Sequence, residues 1–166
     1  MRNIIYILSV LSLCFLGKAQ AQTSITEYQT KLNSLPDTQA QLLNGVVNGA
    51  PSMVFINAEN TPAVYQRPGE QIKMMMLHEP SDLVTLLDAY DGQLDAVTVI
   101  NIEWNGTDTF TFPTDLLSKL PGLGYVYIRS YQNLSKPMIE NTFQGLIQQL
   151  KQTEVEILYF TMEQPG

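Results

Sequence analysis

The stretches "LDAVTVINIEWN" (Leu94 to Asn105) and "LPGLGYVYIRSY" (Leu120 to Tyr131) decide how this chain is read. Each sets a large aliphatic residue at its first, fourth, seventh and ninth positions: Leu94, Val97, Ile100 and Ile102, then Leu120, Leu123, Val126 and Ile128, 26 residues later. The alternation that closes each stretch is the period of a β-strand, whose successive side chains point to opposite faces. Between them "FPTDLLSKLPG", bracketed by Pro113 and Pro121, predicts a short helix. Strand, helix, strand in this order calls for a crossover and parallel pairing.

Downstream, "SKPMIENTFQGLIQQLKQ" predicts a helix capped by Ser135 with Ile139, Phe143, Leu146, Ile147 and Leu150 on one face, and "VEILYFTM" a last strand. Upstream, Ser24 stands three residues before Glu27, the spacing of a capping box, which predicts a helix from Ser24 that Pro36 stops. A second helix follows from Asp37 or Thr38, with Leu42, Leu43, Val46 and Val47 as its apolar stripe. Then "SMVFIN", "AVYQ" and "EQIKMMMLH", separated by turn residues, predict two or three antiparallel strands, and "PSDLVTLLDAYDG" a helix capped by Ser81.

The two opening stretches resemble leucine-rich repeats. Leu94, Val97, Ile100, Ile102 and Asn105 fit L-x-x-L-x-x-L-x-L-x-x-N at every position, and Leu120, Leu123, Val126 and Ile128 fit all but the last, where Tyr131 stands. Val155, Leu158 and Phe160 make a looser third copy without the asparagine. Residues 94–163 therefore resemble leucine-rich-repeat-like proteins of the bacterial exported type. The resemblance implies an α/β fold: a short parallel sheet (β-α-β-α-β) over 93–166, with residues 22–92 as a helical and β-hairpin cap. The alternative is an ordinary α/β arrangement whose parallel strands are apolar at every second residue.

With the copies stacked in register, Ile100, Ile102, Val126, Ile128, Leu158 and Phe160 point to the helices. Asn101, Glu103, Tyr125, Tyr127, Arg129 and Tyr159 then share the opposite face, with Glu103 beside Arg129 and Tyr127 beside Tyr159. Left open, such a face suits a protein or peptide partner, because tyrosine offers large contact area at low entropic cost. Covered by the N-terminal half, it is core, as parallel sheets usually are on both sides.

At the N-terminus, Arg2, the apolar run Ile4 to Leu16 and the small-residue pattern Ala19-Gln20-Ala21 have the order of a secretory signal peptide over 1–21. The expected product is a single exported domain, 22–166, periplasmic or extracellular, with no membrane insertion after cleavage. Cleavage also removes Cys14, the only cysteine, so the core alone must hold the fold. Removing Arg2 and Lys18 from the 9 basic residues leaves 7 against 16 acidic ones, a net charge of −9 with His78 neutral. That surface repels phosphate backbones and argues against nucleic-acid partners.

Chemistry-bearing patterns are sparse. His78 is the only histidine, and "HEPSD" is too local for a nucleophilic triad, whose members converge from separate elements. No catalytic constellation and no cofactor are expected. The alternative to a non-enzymatic binding module is a periplasmic Cu(I)-binding protein: on a strand, Met74, Met76 and His78 point to one side, and two thioethers with an imidazole suit that ion.

Overall fold

The structure is a computed structural model and describes residues 23–164; the expected signal peptide lies outside them. Among these residues seven strands form one mixed sheet, accompanied by six helices. In chain order they are β1 (Ile25–Glu27), α1 (Tyr28–Ser34), α2 (Asp37–Asn48), β2 (Met53–Ile56), β3 (Pro62–Tyr65), β4 (Met74–Leu77), α3 (Asp82–Ala89), β5 (Val99–Glu103), α4 (Leu116–Lys119), β6 (Tyr125–Ser130), α5 (Lys136–Thr142), α6 (Gln144–Leu150) and β7 (Glu156–Thr161). The strand order is β1-β7-β6-β5-β4-β2-β3, parallel throughout except for β3. No helix among the described residues is long and apolar enough to cross a membrane.

From β4 to β7 the strands lie side by side in chain order. Their pairing repeats at offsets of 25 residues (Met74↔Val99), 26 (Val99↔Tyr125) and 31 (Tyr125↔Glu156). The helices that join them share one core on one face. Leu83, Leu86 and Leu87 of α3, Leu116 of α4, Ile139 of α5, and Leu146 and Leu150 of α6 pack there with Met75, Ile100, Ile102, Val126, Ile128 and Ile157. All eight aliphatic positions of the two opening stretches belong to this core. The chain bends between α5 and α6 at Phe143, whose ring meets Trp104 edge-on at 5.4 Å and stacks near Phe110 at 6.4 Å. Gln149 of α6 clamps both main-chain groups of Phe112, which fixes the long connection before α4.

The other face is closed by α1 and α2. Tyr28 sits with its ring 5.1 Å from that of Tyr127 and 6.2 Å from that of Phe160, edge-on to the latter. Its hydroxyl donates to Asn44 Oδ1 at 3.0 Å and accepts from Asn48 Nδ2 at 3.2 Å, so one side chain ties α1 both to the sheet and to α2. Leu43 and Val47 of α2 complete a second core with Met74, Val99, Tyr127 and Leu158. Lys31, in the last turn of α1, reaches both carboxylate oxygens of Glu156 at 2.7 Å.

Several sequence expectations need correction. The Ser24–Glu27 spacing does not make a capping box: Ile25–Glu27 is an edge strand paired with β7, and Glu27 itself caps α1, accepting from the main-chain N–H groups of Gln29 and Thr30. β2 and β3 do form an antiparallel hairpin, turned by Asn57 and by Asn60 in the left-handed region (φ 56°), but β4 runs parallel to β2 and separates it from β5. β7 is out of phase with the proposed third copy. Ile157, not Leu158, pairs with Val126, and this one-residue slip sends Leu158 and Phe160 to the tyrosine face and Tyr159 to the first core. At the free margin, Pro62 of β3 falls between the hydrogen-bonded pairs of the hairpin, while Val64 and Tyr65 are exposed.

Two consequences follow for stability. Tyr28→Ala should cost about 3–5 kcal/mol by leaving a hole over Tyr127, and Tyr28→Phe only about 1 kcal/mol, because Asn44 and Asn48 still bond each other; urea unfolding measures both. For Glu27, partial burial pushes the carboxyl up, but the main-chain donors of Gln29 and Thr30 outweigh it and the net shift is downward from the ordinary value near 4.5. Its capping contribution is therefore full above that value and lost as pH falls through the lower folded one. Glu27→Ala should lower stability by about 1 kcal/mol at pH 7, and the gap to wild type should close in acid.

Candidate functional site

Five of the six expected contact residues do share a face, but α1 and α2 divide it. In the middle, Tyr127 is 2 % exposed and Asn101 1 %, both inside or against the second core. The expected open tyrosine surface is thus corrected at its centre: Tyr28 seals it. Tyr159 is on the opposite face altogether, packed against the first core, and Tyr127 has Leu158 as its lateral neighbour instead. Burial pushes the Tyr28 hydroxyl up to about 12, and pushes that of Tyr127 upward too, with the Tyr28 phenol adding to it. Neither phenol is a candidate acid or base near neutral pH.

Toward the carboxyl ends of the strands, Arg129 Nη2 donates to Glu103 Oε2 at 2.8 Å across β5 and β6. Both side chains are partly exposed, so the pair contributes at most about 1 kcal/mol. Arg129 Nε is buried with no partner among the described residues, and so is Asn101 Oδ1. Asn101 Nδ2 has only the sulfur of Met74, at 3.7 Å.

Toward the amino ends, Tyr125 is half-buried beneath Lys31, whose Nζ stands 5.9 Å from the ring centre. Here α2 and the sheet part to leave a groove of about 400 Å³, with Leu42, Leu43 and Val46 on the helix side and Lys73, Thr98, Val99 and Tyr125 on the sheet side. A second hollow of about 580 Å³ adjoins it, sharing Leu42, Val46 and Lys73 and adding polar groups that include Arg67 and Glu70. Leu42, on the ridge between the two, is 67 % exposed.

The expected stripe on α2 explains how Leu42 comes to be there. At about 100° per residue, Leu43 and Val47 point one way, and Leu42 and Val46 a quarter-turn or so away. Only the first pair is buried in the core. A stripe wider than the sheet can cover was the available signal, and Lys73 carried none.

The copper trio is not gathered at one opening. Met74 is buried in the second core with its sulfur against Asn101, whereas His78 lies past the end of β4 and is exposed. His78 borders a shallow hollow with Asn57, Glu79 and Asp82 to which neither Met74 nor Met76 contributes. Asp82 is committed to the turn before α3, its Oδ2 accepting from the main-chain N–H groups of His78 and Glu79 at 2.8 and 2.9 Å, so that oxygen is not free to orient the imidazole. Among the described residues no three His, Cys, Asp or Glu side chains converge as a metal site would need.

No protein family, curated protein or solved structure matches this chain.

An unpaired buried carbonyl costs about 1–3 kcal/mol, so Asn101→Leu should raise stability, by about 1 kcal/mol after the lost sulfur contact and imperfect fit. A fall in the urea midpoint of this variant would show that the amide is satisfied in solution.

Proposed function

We propose that this chain is an exported, non-enzymatic binding module that meets its partner along the groove beside α2, with Leu42 and Tyr125 as its contact residues. The observation that carries this is Leu42: a large aliphatic side chain left two-thirds exposed on the outer ridge of a groove whose inner wall is continuous with the core. Tyr125 supports it from the sheet side, half-exposed where Tyr127, two residues on, is sealed. The Glu103–Arg129 pair forms a second, polar patch at the far end of the same face, suited to fixing orientation more than to supplying affinity.

The scaffold fits a short leucine-rich-repeat-like array that begins at β4. Supporting this are the pairing offsets of 25 and 26 residues and the placement of α3 to α6 on one face. So does Asn105, whose Oδ1 accepts from the main-chain N–H groups of Thr107 and Asp108 and so bonds the turn after β5; Gly106 supplies that turn's positive φ of 95°. In such an array α1 and α2 take the place of a cap that folds across the concave face. Export rests on the charged, apolar and small-residue order of residues 1–21.

Leu42→Gln tests the groove. Because Leu42 is exposed, the thermal midpoint should stay within that of a neutral surface change, about 0.5 kcal/mol of stability. Fluorescence titration with a neutral apolar dye should show binding to wild type and at least severalfold weaker binding to the variant. Equal dye binding by both proteins would remove Leu42, and the groove with it, from the contact surface.

A further inference from the structure

The groove carries a charge that no carboxylate among the described residues approaches within 4.0 Å. Of the nine basic residues, Arg2 and Lys18 lie before the described segment, leaving seven. Five of these stand within 4.0 Å of a carboxylate: Lys31, Arg67, Lys119, Arg129 and Lys136. Among the described residues Lys73 and Lys151 do not. In a chain with 16 acidic groups an unpaired cation is the exception, and Lys73 is the one that lines both hollows at the Leu42 ridge.

Its position is fixed by the sheet. The N–H of Lys73 donates to the carbonyl of Ser52 at 2.8 Å, and its carbonyl accepts from the N–H of Thr98 at 2.9 Å, so the main chain is pinned between the bases of β2 and β5. Lys73 therefore lines the groove from a fixed main chain, and its ammonium has no carboxylate within 4.0 Å among the described residues. The one acidic residue lining the second hollow, Glu70, is engaged by Arg67 at 3.9 Å and by the Ser52 hydroxyl at 3.4 Å. The first hollow has no acidic residue in its walls.

We propose that the groove beside α2 binds a small apolar monocarboxylate, its chain along Leu42, Val46 and Tyr125 and its carboxylate on Lys73. This rests on the groove being the contact surface and adds the chemical class of what it takes. A hollow of about 400 Å³ lies within the roughly 300–1,000 Å³ usual for small-molecule clefts, and its walls are mainly apolar with one charge to orient the ligand. The overall negative charge of the protein does not forbid an anion here, because distant charges are screened beyond about 8 Å at physiological salt. It does mean that attraction must come from Lys73 locally, which makes that residue decisive.

The test is calorimetric titration of the mature protein with octanoate and, separately, with 1-octanol, the same chain without the charge. Octanoate should bind wild type at least tenfold more tightly than the alcohol, the worth of one charge-assisted hydrogen bond. Lys73→Gln should abolish that difference while leaving alcohol binding and the thermal midpoint unchanged, and each methylene removed from the acid should weaken binding about three- to fourfold. If octanol binds as well as octanoate, or if Lys73→Gln leaves octanoate affinity intact, the carboxylate assignment is overturned while the groove remains a binding surface. If neither ligand binds and the neutral apolar dye does not bind either, the groove itself fails.

Discussion

Tyr28 resting on Tyr127 is the contact on which the rest of the structure depends. The crossovers from β4 to β7 all lie on one side of the sheet and leave its other side bare, and here that side carries Val99, Tyr127 and Leu158 at its centre. Such residues require cover, and a pair of helices, one of them only seven residues long, cannot provide it by intrinsic helix stability. Tyr28 supplies the anchor: its ring fills the space above Tyr127 and Phe160, and its hydroxyl holds α2 through Asn44 and Asn48. The position of α2 in turn sets the width of the groove beside it, so a core contact determines the shape of the candidate site.

Much of the fold was legible because strands that face one core alternate. Leu94 to Ile102 and Leu120 to Ile128 declare their inner face, and both sets are buried as their spacing implies. Where a strand is covered on both faces the alternation vanishes. "EILYF" in β7 is apolar at four consecutive positions, so its residues do not declare which of them face the helices, and the pairing lies one residue from the phase the repeat spacing implies. "MMML" in β4 fails in the same way: an unbroken apolar run belongs to a central parallel strand, yet its nearness to a hairpin made it look antiparallel. Ser24 and Glu27 have the spacing of a reciprocal cap, but spacing does not reveal that the intervening residues are taken by β7.

The candidate site was legible only in part, for a related reason. Alternation correctly grouped Asn101, Glu103, Tyr125, Tyr127 and Arg129 on one face, but which of them a distant helix covers is a tertiary fact with no local signature. Asn101 shows the conflict within the fold. It keeps a buried amide with an unpaired oxygen where an aliphatic side chain would satisfy packing. Local consistency is broken there, and in proteins such breaks tend to mark strain or use. Leu42 is the converse, an apolar group two-thirds exposed on the ridge between the two hollows.

The hairpin margin has its own consequence. Two of the sheet's strands end the array, and the outer one, β3, exposes Val64 and Tyr65 along an unpaired backbone. Pro62 sits where a main-chain N–H would have faced outward, so over that stretch the rim offers the carbonyls of Pro62 and Val64 but only Val64 as a donor. An incoming ribbon from another molecule would find one donor fewer than a regular edge presents. Proline at this one position interrupts the ladder along which a sheet would grow from copy to copy.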